Sequence, residues 1–568
     1  MQFSEASSYL ERLEKTASRN QITEILSDLY KKCSKEEIDK ITYLVLGQLA
    51  PNYKGIVLNI AEKMMFRVFS KAYKMEIGEV RKLFKVKGDL GEVALSLAKS
   101  KKDLSVVEVY ERLMAISEAG GAGSQERKVV LMAELLSSLN PLSAKYVSRI
   151  PVGRLRLGFS DMTILDSLSF MLTKDKSKRK EIENAFNVSC DIGRIASLIK
   201  AKGMNGIKDI TPQAGIPIRP SLCERLPSAE KILEKVGKTV YVEPKYDGFR
   251  SQIHIYEEEG KKKVAIFSRN LESTTAMFPD LVEVIEKIKV KSAIFDGEAI
   301  GYDPKNDKFL PFQETIQRKR KHGIEKAAVD FPLRLFLFDV LFLNGKSLLE
   351  VPFSERRSFL EKVDLGGTKT IEIARQVKTD NADTIRDLIK KYLSEGLEGA
   401  VIKKIDAPYK AGGRGYHWVK YKKTTVKGVA DTIDCLVLGV NKGKGKRTGF
   451  GVGAFLVGIK DKDTFKSVSK IGTGLSDEQW RELDRRTRAL EVKVKPTSYE
   501  VDKNLTPDVW VKPSLVVEIL ADEITRSPIH KAGLALRFPR LIKFRDEKGP
   551  SEVTTLEELQ KLYQMQKV

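Results

Sequence analysis

The 568-residue sequence predicts a multi-domain protein built from three successive textures. Residues 1–212 read as all-α, 213–425 as α+β, and 426–568 as a small β-barrel. Three observations carry this. In the first stretch apolar residues recur at three- and four-residue spacing, as in ITEILSDLY and KITYLVLGQL. In the second, short β-branched and aromatic runs alternate with helical patterns. In the third, strand-like runs are divided by glycine-rich turns.

Within the first stretch, Ser34 to Glu37 fits a capping box. KSKRKEIENAF reads as a basic helical surface, and EAGGAGSQERK, with three glycines, as a loop between helices. The segment Thr211 to Leu222 carries three prolines and a glycine and predicts a boundary or extended linker. Beyond it TVYVEPK, SQIHIYE, KVAIFSR, SAIFDGEAI, LRLFLFDVLFL and GAVIKK predict strands. DLVEVIEKI and TIRDLIKKYL predict helices between them. After Val426, DTIDCLVLGV, GAFLVGI, SVSKIG and SLVVEILADEI predict barrel strands. Ser476 and Gln479 stand at capping-box spacing ahead of one helix, and TTLEELQKLYQMQ predicts a last one. A five-stranded nucleic-acid-binding barrel is a common solution for such a segment. No internal repeat is visible.

Hydrophobic residues make up 42% of the chain, enough for sizeable cores, and the net charge is +23. With a pI near 9.5, that excess points to an anionic partner, nucleic acid first, unless the lysines are merely solvated. The four cysteines are scattered with no CxxC pair, and the four histidines are dispersed, which argues against a structural zinc site. The first residues lack a signal-peptide core and no apolar run is long enough to span a bilayer. A reducing, cytoplasmic setting is the default expectation.

The sharpest chemical signal is Lys245-Tyr246-Asp247-Gly248-Phe249-Arg250, at the end of a predicted strand. A lysine is a nucleophile only when its amine is deprotonated, and burial or nearby cations such as Arg250 or a metal ion lower its pKa. Gly248 lets the backbone turn tightly beside a ligand. Alone, this motif is also an ordinary D-G turn. The decisive feature is an ordered series downstream: Ser268-Arg269-Asn270 and Phe295-Asp296-Gly297-Glu298 at strand ends, and Phe338-Asp339 in an apolar run. Glu398-Gly399-Ala400-Val401-Ile402-Lys403 follows a helix, and Arg414 precedes Trp418-Val419-Lys420-Tyr421-Lys422. Each has a bland reading as core or solvated strand; together and in order they do not.

Over nearly its whole length the chain resembles the ATP-dependent DNA ligases of the archaeal type, which is similar to the eukaryotic replicative enzyme. KYDGFR, FSRN, FDGE, LFLFDV, EGAVIKK and WVKYK look like the family motifs in family order, and RFPRLIKFRDEKG looks like the last. LSAKYVSRIPVGRLRLGFSD resembles the signature of the family's DNA-binding domain, and VVEILADEITRSP a barrel segment. The last motif is usually Arg-x-Asp-Lys; here Glu547 stands between Arg545 and Lys548.

The resemblance implies an N-terminal DNA-binding domain, an adenylation (nucleotidyltransferase) domain and a C-terminal OB-fold. It implies nick sealing in replication, repair and recombination through lysine-AMP and DNA-adenylate intermediates. Lys245 would be the adenylated nucleophile. Glu243 would accept from the adenine amino group, Phe338 stack on the base, and Arg250 and Glu298 hold the ribose. Arg269, Arg414, Lys420 and Lys422 would contact nucleotide or phosphate. Arg537, Arg545 and Lys548 would orient the pyrophosphate of ATP. Glu398 and Glu298 would bind Mg2+, for which Mn2+ can substitute. Arg154 and Arg156 would track DNA phosphates without sequence preference.

Nicked double-stranded DNA is the implied substrate, a monomer the implied state and a sliding clamp a candidate partner. The segment KKDLSVVEVY, where a clamp motif could sit, reads better as core helix. A capping-type guanylyltransferase would share the lysine motif but use GTP and lack the helical region. An RNA ligase rarely carries that region, an NAD-dependent ligase normally adds a zinc module, and a non-catalytic scaffold would not need the lysine.

Overall fold

A computed structural model describes residues 1–153, 155, 157–320, 322–422, 432–443 and 450–565. The chain forms two compact units, Met1–Tyr421 and Lys422–Val568. The helical and the α+β textures share the first.

Among the described residues, Phe3 to Lys202 holds twelve α-helices around one apolar core. Local sequence sets their ends. Ser105 and Glu108 form a reciprocal capping box for Val106–Glu118. Asn140 caps Pro141–Arg149, with Pro141 at the first helical position. The box expected at Ser34 and Glu37 is half formed. The Glu37 carboxylate accepts from the Ser34 N–H at 2.9 Å, but Ser34 Oγ accepts from the Glu36 N–H (3.2 Å) instead of that of Glu37, and the helix starts only at Ile38. The loop expected over EAGGAGSQERK is shorter: the helix Ser124–Ser137 begins directly after Gly123. The helix Val106–Glu118 buries Val106, Val109 and Leu113, as expected of core.

The linker after Ile210 is held down. Ile218 is fully buried, its N–H donates to Gln252 Oε1 (2.8 Å) and its carbonyl accepts from Gln252 Nε2 (3.1 Å). Gly215 N–H donates to His254 Nδ1 at 3.0 Å. Burial keeps His254 neutral, its pKa pushed down to about 3, which suits an imidazole nitrogen acting as acceptor. At the other side, Asn187 Nδ2 donates to the Ala411 carbonyl (3.0 Å) and Arg219 pairs with Asp161 (3.1 Å).

The α+β part contains two sheets. Their strands are β1 (Leu222–Arg225), β2 (Val240–Lys245), β3 (Phe249–Glu258), β4 (Lys261–Ser268), β5 (Ala293–Asp303), β6 (Lys308–Phe309), β7 (Leu333–Leu343), β8 (Lys346–Ser347), β9 (Ile371–Ile373), β10 (Val377–Thr379), β11 (Gly399–Lys404) and β12 (Arg414–Lys422). One sheet runs β1-β12-β11-β2-β10; the other runs β4-β3-β5-β7-β8, with β6 on β5 and β9 on β7. They pack through aromatic contacts: Tyr246 stacks on Phe336 with ring centres 4.1 Å apart, and Phe338 meets Trp418 edge-on at 5.8 Å.

The second unit is strand-rich, an OB-fold barrel. Its long strands β13 (Ile433–Lys442), β14 (Val452–Asp461) and β15 (Thr464–Ile471) pair in antiparallel order. β13 also pairs with Val516–Leu520, which in turn pairs with Arg540–Phe544. The capping box at Ser476 and Gln479 is complete and starts the helix Asp477–Arg488. A final helix spans Leu556–Met565.

Candidate active site

Lys245 is the last residue of β2, in register with Gly399 of β11. The Glu398 N–H donates to the Lys245 carbonyl at 2.9 Å. That backbone link delivers the Glu398 carboxylate onto the Lys245 ammonium in direct contact, both side chains about four-fifths buried. Gly399 has φ +140°, a backbone state that favours glycine, so the chain enters β11 there without strain.

The electrostatics differ from the expectation that cations depress the lysine pKa. Burial does pull Lys245 down, but Glu398, then Glu298, outweigh it and hold the amine above its ordinary range. Arg250 is committed elsewhere. Its Nε donates to Asp296 Oδ1 (2.9 Å), its Nη1 to the Ser221 carbonyl (2.6 Å), and its Nη2 to Asp296 and to the Tyr409 hydroxyl (3.1 Å). The Tyr409 hydroxyl donates back to Asp296 at 2.8 Å. Asp296 is fully buried, and the guanidinium lies 5.6 Å from the Phe338 ring centre and 5.5 Å from that of Trp418.

Register explains the cluster. Arg250 on β3 faces Glu298 on β5, which faces Phe336 on β7. Contrary to the expectation that FDGE ends a strand, it lies inside the eleven-residue β5. Gly297 is needed in that interior, since a Cβ there would lie 2.9 Å from the Phe336 carbonyl. Gly248 is required for a similar reason rather than for a turn: its Cβ would sit 2.1 Å from the Ala299 carbonyl. The Glu298 carboxyl is pushed up to about 7, by burial above all, with Lys245 and Arg250 pulling the other way.

Glu243, two residues before the lysine, is also buried. Lys403 Nζ meets Glu243 Oε2 at 2.7 Å, and Gln376 Nε2 donates to Glu243 Oε1 at 3.0 Å. Lys403 also donates to the Phe338 carbonyl (3.0 Å) and lies within 4.7 Å of the ring centres of Phe338, Phe353 and Trp418.

Lys420, half-buried on β12, joins the same neighbourhood: Lys245, Arg250, Lys403 and Lys420 all act on the buried Cys223 thiol. Lys422 ends the same strand, and Arg414 opens it, exposed. Arg269, exposed just past β4, lines a different cleft of about 600 Å³ with Asn270, Asn52, Tyr53 and Arg219. None of Glu243, Lys245, Glu298 and Glu398 lines it. Arg154 and Arg156 lie outside the described residues; Leu155 and Leu157 between and beside them are buried in the helical core.

The last motif lies in the second unit. Arg545 pairs with Glu518 (2.9 Å), Asp434 (3.5 Å) and Glu547 (2.7 Å), and Lys548 with Asp434 (2.6 Å). Arg537 pairs with Glu523 at 3.2 Å. Glu547, the departure from the usual aspartate, reaches Arg545 with its extra methylene.

A divalent ion is consistent with the donor set. Glu298 and Glu398 both act on Lys245, and Glu298 is a half-buried carboxyl whose charge a cation would favour. Among the described residues no group of three or more His, Cys, Asp or Glu side chains gathers into a cage. Two carboxylates plus waters is the ordinary arrangement for magnesium.

Three family models cover the chain: "DNA ligase N terminus" over residues 2–169, "ATP dependent DNA ligase domain" over 220–422 and "ATP dependent DNA ligase C terminal region" over 448–548. The chain belongs to the ATP-dependent DNA ligases. A probable DNA ligase of Dictyoglomus turgidum is 44% identical across all of this chain and 98% of its own length. The DNA ligase of Sulfurisphaera tokodaii is 40% identical over the same shares. Among solved structures, those titled "Pmar-Lig_Pre." and "Pmar-Lig_PreS3" match 95% of this ligase and 98% and 99% of their own chains. Their TM-scores are 0.56 and 0.55 at 17% and 18% identity, a likeness of fold. No described helix of the ligase is long and apolar enough to cross a membrane.

Several working residues carried no signal in the sequence. Asp296 was visible only as part of FDGE, and Lys403 only as the close of GAVIKK. Tyr409, Ser221 and Gln376 belong to none of the ligase-like motifs and reach Arg250 or Glu243 through the fold.

Proposed function

We propose that Lys245 is the nucleophile of this ligase and that the groups gathered around it from the two sheets hold the adenylate. The observation that carries the reading is the Lys245–Glu398 contact, at the meeting of two strands and beside Glu298. Family membership supplies the reaction: nick sealing through lysine-AMP and DNA-adenylate.

In the first step the neutral Lys245 amine attacks the α-phosphorus of ATP. A P–N bond forms, the bond to the bridging oxygen breaks, and pyrophosphate leaves. Glu398 is placed to take up the proton at Nζ. Phe338 offers a ring for the base, Glu243 an acceptor for the adenine amino group, and Lys420 and Lys422 positive charge for the α-phosphate. Arg250, with Glu298, positions the sugar from its Asp296–Tyr409 anchor. Arg269 and Arg414 meet phosphate, and Arg537, Arg545 and Lys548 meet the pyrophosphate. Glu298 and Glu398 would hold magnesium, or manganese in its place, and the bound ion would supply positive charge opposite the phosphate. A nick 5′-phosphate oxygen then attacks the adenylate, and the 3′-hydroxyl displaces AMP.

The division is 1–212 for DNA binding, 213–425 for adenylation and 426–568 for the OB-fold. Arg154 and Arg156 serve as phosphate contacts of the first. The working form is a cytoplasmic monomer on nicked duplex DNA, with a sliding clamp as candidate partner. The test is labelling with α-labelled ATP and magnesium. Lys245→Ala should give no covalent AMP while still binding nicked DNA; normal labelling of that variant would sink the assignment.

A further inference from the structure

Lys403 is not explained by the chemistry above. It is a cation 1% exposed, walled by the rings of Phe338, Phe353 and Trp418. Burying an ammonium is costly unless it is paired, and its charged partner is Glu243. Glu243 is in turn committed on both oxygens, Oε2 to Lys403 and Oε1 to Gln376. Two donors, one of them a cation, favour the ionised carboxylate, because protonation would give up part of that attraction. Held this way, the carboxylate can only accept hydrogen bonds through its remaining lone pairs.

We propose that Lys403, with Gln376, is a positioning residue that sets nucleobase specificity: it keeps Glu243 an acceptor-only carboxylate, so that the site takes a purine with a 6-amino group and rejects a 6-oxo purine. The inference rests on the reading that Lys245 is adenylated with the base against Glu243. Chemistry fixes the sign. Adenine presents an amino donor to Glu243, whereas guanine and hypoxanthine present an acceptor oxygen that a carboxylate repels. A protonated Glu243 would donate to that oxygen and welcome the wrong base.

The balance is delicate. Burial drives the Glu243 carboxyl above its ordinary range, and Lys403 is the first force pulling it back. Arg357, on the helix Phe353–Glu361, is a weaker second, and Gln376 adds its hydrogen bond. The other titratable groups facing it, Tyr246 and Tyr392, are phenols whose own pKa values burial raises, so they bring no charge. Removing Lys403 therefore tips Glu243 toward the neutral form.

The test compares covalent labelling of the full-length ligase by ATP and by ITP, whose base carries a 6-oxo group and no 2-amino group. The wild type should favour ATP. Lys403→Met should shrink the ATP-to-ITP ratio of kcat/KM by roughly tenfold or more, the scale of one misdirected hydrogen bond. Lys403→Arg should restore it. In a Glu243→Gln background, where the amide can turn its oxygen to a 6-amino base or its NH2 to a 6-oxo base, Lys403→Met should leave the ratio unchanged. If Lys403→Met does not fold, Gln376→Leu, which leaves the buried charge pair intact, should lower the ratio in the same direction. An equal loss with both nucleotides, or an unchanged ratio in Lys403→Met or Gln376→Leu, would overturn the proposal. Failure of the underlying reading looks different: Lys245→Ala would then still be labelled by ATP.

Discussion

Asp296→Asn separates the anchoring of Arg250 in the fold from the nucleotide contact proposed for it. Asp296 is fully buried and Arg250 nearly so, and two of the guanidinium's hydrogen bonds end on this carboxylate. Removing one partner of a buried pair typically costs about 3–5 kcal/mol, because the other charge is left uncompensated. Asparagine keeps one acceptor, and Ser221 and Tyr409 still hold the guanidinium, so about 3 kcal/mol is expected here. For a cooperative unit of a few hundred residues that lowers the melting midpoint by on the order of 6–12 °C. The assay is circular-dichroism melting beside a labelling assay at a temperature where every variant is folded. The double variant Asp296→Leu/Arg250→Met replaces the pair by apolar side chains of similar bulk and should recover most of the midpoint. It should not recover lysine-AMP formation, since the guanidinium proposed to position the sugar is gone. A single variant that melts within a degree of wild type would refute the energetic argument. A double variant that labels normally would refute the placement of Arg250 in the nucleotide site.

Other outcomes follow from the same geometry. Because Glu398 and Glu298 hold the Lys245 amine above its ordinary pKa, the neutral fraction is small at pH 7. At limiting magnesium, lysine-AMP formation should then rise by about tenfold per pH unit over the neutral range; a flat profile in rapid-quench labelling counts against the amine as the titrating group. Arg545→Ala and Lys548→Ala should slow the first step by on the order of a hundredfold. They should leave sealing of a pre-adenylated nick far less affected, and equal losses in both assays would remove these residues from pyrophosphate handling. Binding to nicked duplex should weaken steeply as salt rises, as expected for a chain of net charge +23; salt-independent affinity in a filter-binding titration would contradict the phosphate-contact reading.

Local signals placed the elements well because they act within a few residues. The Ser476–Gln479 box and the strand at FDGE needed only neighbours within one turn or one pleat. They failed where a distant group intervened. The Glu37 carboxylate of the half-formed Ser34–Glu37 box is shared with the Met1 amino group, 36 positions away, and β5 runs through FDGE because β3 and β7 flank it on both sides.

The sequence by itself determined the class of the protein: three textures, a basic chain and an ordered motif series, all properties that survive without coordinates. It also marked Lys245, Glu243, Glu298, Phe338 and Glu398, because motif order can be read along one dimension. Only the tertiary structure decided the charge state and partners of those groups. Glu398 lies 153 positions beyond Lys245 yet touches it, and Arg250 is fixed by Tyr409, 159 positions away. Electrostatic energy depends on distance through space and on burial, and neither is written in the spacing along the chain. For that reason the sequence could single out Lys245, while only the fold placed the Glu398 and Glu298 carboxylates, rather than a cation, against its amine.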